Sequence, residues 1–381
     1  MFPPVKIKEW VPGVFPIPFF QTWCCEHSSM TTTVDDWSDL DRAGLPPKMY
    51  TCIRDNLIFN RVGVDCVHYL FNDVDCREFI ASEYPPDVLM AYDLLIPTAF
   101  KADLWRYCIL YKYGGVYLDS KLQVVPPGVT PPYDGMRLSG VQQSIADTCS
   151  VSMFNKNCDN YMTLRAIVER WLSRHGDDGG IFVLERDAVG LWPAGRHGIH
   201  NAFIIVKPKN PILLECIFRI VSAAKERRYS RGGLDNDYSA GWMTRPLFVT
   251  GPGLLGDVWW EGSAPLRREL RLMGCAGVPP PYDGVREVAP GLEGGGGAGG
   301  GVRSYAIMAP YFRFFFEGDG VIGYYLGGDS YIKAFKVYDG YPEEYHHMMR
   351  HKNCVPHYTV LWAQGVVWGG GVSPNAASYA L

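Results

Sequence analysis

Asp103, Arg106, Asp119 and Lys121 are the residues in this chain whose types and spacing suit chemistry on a charged substrate. Asp103 and Arg106 lie one helical turn apart, so both project from the same side of a helix. An aspartate there accepts hydrogen bonds from paired hydroxyls, and an arginine offers a planar fork to a hydroxyl or a phosphate oxygen. Taken alone, the pair reads first as an ordinary one-turn salt bridge. Asp119 is a second acid, suited to a ribose or a divalent cation. Lys121 follows it by two residues, and strand alternation would turn both side chains to one face. A lysine there meets a phosphate as a point charge.

The elements that must position these groups read clearly. Pro97 suits a helix start, and Thr98 can accept from free N–H groups. Ala102, Trp105, Ile109 and Tyr113 recur at three- and four-residue steps and predict one buried stripe. Gly114-Gly115 ends that helix, because glycine takes a left-handed cap at little cost. Val116, Tyr117 and Leu118 form a short β-prone run. Asp119 then stands at the carboxyl end of a strand, the edge where ligands gather in open α/β sheets.

The stretch Ala102-Asp103-Leu104-Trp105-Arg106, followed by Tyr113-Gly114-Gly115-Val116-Tyr117-Leu118-Asp119-Ser120-Lys121, resembles the sugar-binding region of the DXD-containing glycosyltransferases. These are the glycosyltransferase family 32, or initiation-mannosyltransferase-like, group with capsular-polysaccharide transferases and large glucosylating toxins. Further stretches resemble the same group: Gln21-Thr22-Trp23 after an entry strand, Asn201-Ala202-Phe203 before an apolar strand, Thr250-Gly251-Pro252 at a helix start, and a closing His357-Tyr358 with Leu361-Trp362. The resemblance covers about 16–260 and 305–368. One position departs from it, because the second acid of Asp-x-Asp is Lys121.

The resemblance implies an α/β fold, a GT-A-type doubly wound mixed sheet (Rossmann-like) with helices on both faces. It implies transfer of a hexose from a UDP- or GDP-linked sugar to a glycan or other hydroxyl acceptor, with retention of anomeric configuration. Asp103, Arg106 and Asp119 take the catalytic positions. Trp23, Tyr117, Lys121, Asn201, His357 and Trp362 take donor-binding ones, with Trp23 stacking on the base and the His357–Trp362 tail folding over the diphosphate. Mn²⁺ or Mg²⁺ is the implied cofactor through Asp119, and Lys121 puts that dependence in doubt, since a protonated lysine cannot ligate a metal. Each reading has a plainer counterpart: a half-buried core tryptophan for Trp23, a strand-entry asparagine for Asn201, simple capping for Thr250. A catalytically silent nucleotide-sugar binder is the alternative function. An α/β hydrolase would need a nucleophile elbow, and no G-x-S-x-G occurs.

Composition narrows the classes. The chain has 381 residues, 47% hydrophobic and 14% aromatic, enough for one large domain. A formal charge of −4 argues against a general nucleic-acid binder. No run of 18 apolar residues occurs, so no membrane span is expected. Residues 1–20, MFPPVKIKEWVPGVFPIPFF, lack the apolar core of a signal peptide. Eleven cysteines without a C-x-x-C pair point to reduced thiols in a cytoplasmic, cytosol-like compartment.

Two other metal patterns have ordinary explanations. Asp73-Val74-Asp75 follows a strand, but Asp75 with Glu78 is close to a helix capping box. His347 and His351, with Cys354 and His357 beyond, have zinc spacing, yet H-x-x-x-H without a glutamate base is common on solvated helices. The expected organisation is a leader at 1–13, the core at 14–261, a Gly/Pro-rich insertion at 262–304, and strands, a helix and a donor-covering tail at 305–381 completing the same domain. The insertion contains GLEGGGGAGGGV, which buries almost no apolar surface. Shortening 290–301 should leave the melting temperature within a degree or so of the parent, on the order of a few tenths of a kcal/mol; a scanning-calorimetry drop well beyond that would show that the segment packs.

Overall fold

The computed structural model describes residues 7–25, 27–28, 36–124, 163–175, 180–184, 199–228, 245–262, 271–272, 306–313, 321–325, 331–338, 340–351, 357–364 and 366–369. In chain order the elements are β1 (Ile17–Thr22), α1 (Ser38–Asp41), α2 (Pro47–Phe59), β2 (Cys66–Phe71), α3 (Asp73–Glu83), α4 (Pro86–Leu94), α5 (Thr98–Tyr113), β3 (Gly115–Leu118) and β4 (Leu122–Val124). They continue with α6 (Leu164–His175), β5 (Gly180–Leu184), β6 (Ile199–Val206), α7 (Pro211–Glu226), a 3-10 turn at Arg245–Phe248, α8 (Pro252–Gly262) and β7 (Arg271–Leu272). β8 (Ala306–Arg313), β9 (Val321–Tyr325), β10 (Tyr331–Val337), α9 (Tyr341–His351) and α10 (Tyr358–Ala363) complete the set. Residues 290–301 and Cys354 lie outside the described residues.

Four strands make the mixed sheet on which the candidate chemistry rests. β1 lies between β2 and β3 and runs parallel to both, with Phe19 level with His68 and Val116. β6 pairs antiparallel with β3, Gly115 opposite Val206 and Leu118 opposite Phe203. The hydrogen-bonded path runs β2-β1-β3-β6-β5-β8-β9-β10-β4, with β7 on β8. Every residue of β1, β3 and β6 is buried, as expected of strands covered on both faces. Alternate side chains then feed two cores. Phe20, Tyr69, Phe71, Tyr117 and Ile204 join α3, α4, α5, α7 and α8 on one face. Ile17, Phe19, Leu70, Val116, Leu118 and Phe203 join α1, α2 and α6 on the other. Helices therefore cover both faces, the architecture expected of the chain.

α5 lies between the sheet and α7, and this explains a difference from the expected stripe. Phe100 and the whole run Asp103–Leu110 are buried, so the helix is enclosed on nearly every side. Its N-terminus also differs. Pro97 holds the cap position, and no side chain caps the helix. In α3, the cap is Asn72, whose Oδ1 accepts from the Asp75 N–H at 2.9 Å. Asp75 instead accepts from the Ser28 hydroxyl, so the expected Asp75–Glu78 box does not form.

The chain leaves α5 through Gly114 and Gly115, at φ 64° and 100°. The strands are so close here that a Cβ on Gly115 would lie 2.4 Å from the Pro18 carbonyl oxygen. After β3 the backbone does not continue as a strand. The Leu122 N–H donates to the Asp119 carbonyl at 2.9 Å, closing a turn over Asp119–Leu122. β4 then pairs antiparallel with β10, so this turn joins the mixed sheet to the β8-β9-β10-β4 strands. Strand alternation, expected to align Asp119 with Lys121, is replaced by this turn.

α9 is anchored from a distance. α2 begins at Pro46-Pro47 without a capping side chain of its own. Glu344 of α9 supplies one: its carboxylate accepts from the Lys48 N–H at 2.8 Å and the Met49 N–H at 3.2 Å. The Tyr338 hydroxyl donates to the same carboxylate at 2.8 Å. Among the described residues no helix is long and apolar enough to cross a membrane. Gly115→Ala should cost more than about 2 kcal/mol, since it combines a strained positive φ with a backbone clash; the midpoint of urea unfolding measures it, and an unchanged midpoint would contradict the close approach.

Candidate functional site

A cavity of about 530 Å³ opens where β1 and β3 end. Its walls come from the end of β1 (Thr22, Trp23, Cys24), the start of α3 (Asp73), α5 (Thr98, Ala99, Ala102, Arg106), the β3 turn (Tyr117, Asp119, Ser120, Lys121), α9 (Tyr341, Tyr345, Met348) and the tail (His357, Tyr358). The floor is set by polar contacts between strands. The Gln21 amide donates to the Leu118 carbonyl at 3.2 Å and its oxygen meets His68 Nε2 at 3.0 Å. Burial pushes the His68 pKa down to about 3, so the ring is neutral. The Ser120 hydroxyl donates to the Thr22 carbonyl at 3.0 Å, tying the β3 turn to the end of β1.

Arg106 is the hub. Its Nη2 lies 3.2 Å from Asp103 Oδ1 and its Nη1 lies 3.4 Å from Asp119 Oδ1. Nη1 also donates to the Asn201 carbonyl at 2.6 Å, and Nε faces the Ala102 carbonyl at 3.4 Å. The guanidinium carbon stands 4.2 Å from the centre of the Tyr117 ring, a stacked cation–π contact. The Arg106 side chain is 7% exposed. Most of its N–H donors are therefore spent within the protein.

Asp103 does not line the cavity. It sits behind Arg106 and is held by three donors. Asn201 Nδ2 donates to Oδ1 and the Thr250 hydroxyl donates to Oδ2, each at 2.8 Å, beside Arg106. Burial nevertheless raises its pKa, with Arg106 and Thr250 pulling it partly back. Asp119 shows the opposite balance. Burial raises its pKa, but Lys121, Arg106 and the Tyr117 hydroxyl together outweigh that and hold it below the usual carboxylate value. Tyr117 donates to Asp119 Oδ1 at 2.8 Å, and Lys121 Nζ lies 3.3 Å from Oδ2.

The structure thus brings Trp23, Arg106, Tyr117, Asp119, Lys121 and His357 to one cavity. Asn201 lies outside it, in β6, holding Asp103 and Arg106. Trp362 is half-buried against the first core and is not on the cavity wall. The Trp23 indole packs on the second core, with its Nε1 enclosed and without a hydrogen-bond partner. His357 is held neutral by burial, with Lys121 and His346 pushing the same way.

Sequence reasoning missed Tyr341, Tyr345 and Met348, although their i, i+4, i+7 spacing marks one helix face. It also missed Thr250 as a partner of Asp103.

A divalent cation does not fit this arrangement. Asp119 offers Oδ1 to Tyr117 and Arg106, and Oδ2 to Lys121, so two positive charges already flank it. Among the described residues no three His, Cys, Asp or Glu side chains converge, whereas hard cations need several oxygen ligands. Thr250→Val keeps the shape and removes one donor from buried Asp103. It should destabilise the protein by about 1–3 kcal/mol, read as a shift in urea midpoint; no shift would mean that this hydroxyl carries little.

Residues 47–127 match the family model described as glycosyltransferase sugar-binding region containing DXD motif. Inositol phosphoceramide mannosyltransferase 3 of Schizosaccharomyces pombe is 49% identical over 55 residues, 14% of this chain and 15% of that protein. Initiation-specific alpha-1,6-mannosyltransferase of Candida albicans is 42% identical over 57 residues, again 14% and 15%. The chain spans only that 15% of the length of these curated relatives. Of solved structures, the PaToxG glycosyltransferase superposes with a TM-score of 0.31 at 12% identity, covering 66% of this chain and 72% of that one. The ligand-free glycosyltransferase domain from the YGT toxin gives 0.30 at 15% identity, covering 52% and 51%. The segment 47–127, which matches the model of the glycosyltransferase sugar-binding region containing DXD motif, is the one that carries Asp103, Arg106, Asp119 and Lys121.

Proposed function

We propose that this protein is a GT-A-type glycosyltransferase that moves a hexose from a UDP- or GDP-linked sugar to a hydroxyl of a glycan or glycoconjugate, with retention. The observation that carries the reading is the pairing of Lys121 with Asp119 at the strand edge, facing a cavity that Trp23 also lines. In the reaction the bond from the anomeric carbon to the diphosphate breaks, and its electrons pass to the β-phosphate oxygen. A bond from that carbon to the acceptor oxygen forms, and the acceptor's proton leaves with the diphosphate or to solvent.

Each residue has a task in that sequence. Trp23 offers an indole face to the base. Lys121 uses one ammonium direction on Asp119, which leaves others for the phosphate oxygens as charge develops. Arg106 supplies fixed positive charge from beneath, with its position set by Asp103, Asn201 and Tyr117. His357, neutral beside Lys121, can donate a hydrogen bond without adding charge. Tyr341 and Tyr345 help to keep water from the donor. Lys121 in this reading takes over part of the work that a divalent cation does elsewhere.

The test is a panel of UDP- and GDP-sugars assayed for slow hydrolysis and thermal shift, with and without Mn²⁺. Lys121→Ala should lose more than about tenfold in turnover, ~1.4 kcal/mol of transition-state stabilisation, while Lys121→Asp should become more dependent on metal. The lysine's role is refuted if chelator abolishes wild-type activity and Lys121→Ala keeps all of it. Donor binding with no hydrolysis and no transfer would instead leave a nucleotide-sugar-binding protein.

A further inference from the structure

Tyr341 opens α9 and shares the cavity wall with Asp119, Lys121 and His357. Its ring is fixed without help from its hydroxyl. Tyr338 meets it edge-on at 5.5 Å, and Tyr345 lies against it at 5.7 Å. The Tyr341 N–H donates to the Tyr338 carbonyl at 3.2 Å. Glu344, one turn on, is pinned to the start of α2. The ring turns toward the Lys121 ammonium, which stands 6.0 Å from its centre, at the outer limit of a cation–π contact.

The hydroxyl is left for another use. Tyr84 and Tyr107 donate theirs to the Cys108 and Thr250 carbonyls, Tyr117 to Asp119 and Tyr338 to Glu344. Among the described residues nothing accepts from the Tyr341 hydroxyl, yet it is not a solvated surface phenol. Burial is the largest cause that raises its pKa, and Asp119, Cys24 and Tyr358 push the same way. The phenol therefore keeps its proton and remains a hydrogen-bond donor. Oriented donors matter here because charge is scarce. Asp103 and Asp119 offset Arg106 and Lys121, so the cluster has little net charge with which to hold an anion.

We propose that Tyr341 contacts the substrate: its hydroxyl donates to a phosphate oxygen of the nucleoside diphosphate, beside the oxygen that Lys121 takes. This rests on the transferase reading of the same cavity. The ring holds the phenol and the ammonium as a pair, and a diphosphate bridges them, one oxygen on each. A hydrogen bond to a charged acceptor is stronger than one between neutral groups. The phenol adds no charge to a balanced cluster, so it needs no counter-ion. As the bond to the sugar breaks, charge grows on the leaving diphosphate and this hydrogen bond strengthens with it. The first turn of α9 then belongs to the donor site and is more than its cover.

Calorimetric titration of the full chain with UDP, GDP and inorganic pyrophosphate tests this, in the wild type and in Tyr341→Phe. Phenylalanine keeps the ring beside Tyr338, Tyr345 and Lys121, so the variant should melt with the wild type. At least one nucleoside diphosphate should bind the wild type, and Tyr341→Phe should bind it at least about fivefold more weakly, as expected for one lost hydrogen bond to a charged group. Pyrophosphate, which has neither base nor ribose, should bind the wild type and lose at least as much. The proposal is overturned if pyrophosphate does not bind the wild type or if either ligand loses less than that. It is also overturned if Tyr341→Phe melts well below the wild type, since the hydroxyl would then serve the fold. Failure of both UDP and GDP to bind the wild type would overturn the transferase reading instead, and pyrophosphate would still decide the role of the phenol.

Discussion

The buried guanidinium of Arg106 is the contact on which the site depends. A charge so far from water is tolerable only when its counter-charges and acceptors are complete. Asp103 and Asp119 supply the charges, the Asn201 carbonyl and the Tyr117 ring supply the rest. These groups come from α5, the turn after β3, β6 and β3, so one side chain ties the central helix to the middle of the sheet. Thr250, from the start of α8, joins through Asp103. Removing either carboxylate would leave charge uncompensated, at a cost of several kcal/mol for a broken buried pair.

Counting Lys121, the cluster holds two cations and two carboxylates and is close to neutral. Asp119 is therefore less a free ligand than the counter-ion that keeps two positive charges together at the strand edge. That changes what the motif does. In an Asp-x-Asp sequence the second acid adds negative charge for a metal to offset; here Lys121 offsets Asp119 within the chain. The turn at Asp119–Leu122 makes this possible, because it folds the lysine back toward the acid.

Much of this was legible in sequence. The α5–Gly-Gly–β3 succession could be read from helical spacing, a glycine stop and a β-prone run, and all are local signals. The pairing of Asp103 with Arg106 followed from the same spacing. What failed was local chemistry with close competitors. Thr98 follows a proline that takes the cap position itself, and Asn72 displaces the Asp75–Glu78 box by standing one residue ahead of the helix. Thr250 with Asp103 and Glu344 with Lys48 could not be read at all, since nothing near either residue indicates a partner so distant in sequence. The aromatic face of α9 was hidden for another reason: YPEEYHHMMRH is so polar overall that it reads as a solvated helix.

The tether from Glu344 to the start of α2 also has a consequence for the order in which the molecule can be made. Chains emerge from the ribosome N-terminus first. The β1–β3 strands and α5 are available early, together with Arg106 and its acids, but α2 waits for a cap that lies 296 residues further along the chain. Until α9 arrives, the cavity has a floor and one wall and stands open to water. A nascent chain therefore exposes the charged cluster before the α9 wall of the cavity is in place. Late delivery of that wall leaves the cluster open to water in every chain that has not yet reached α9.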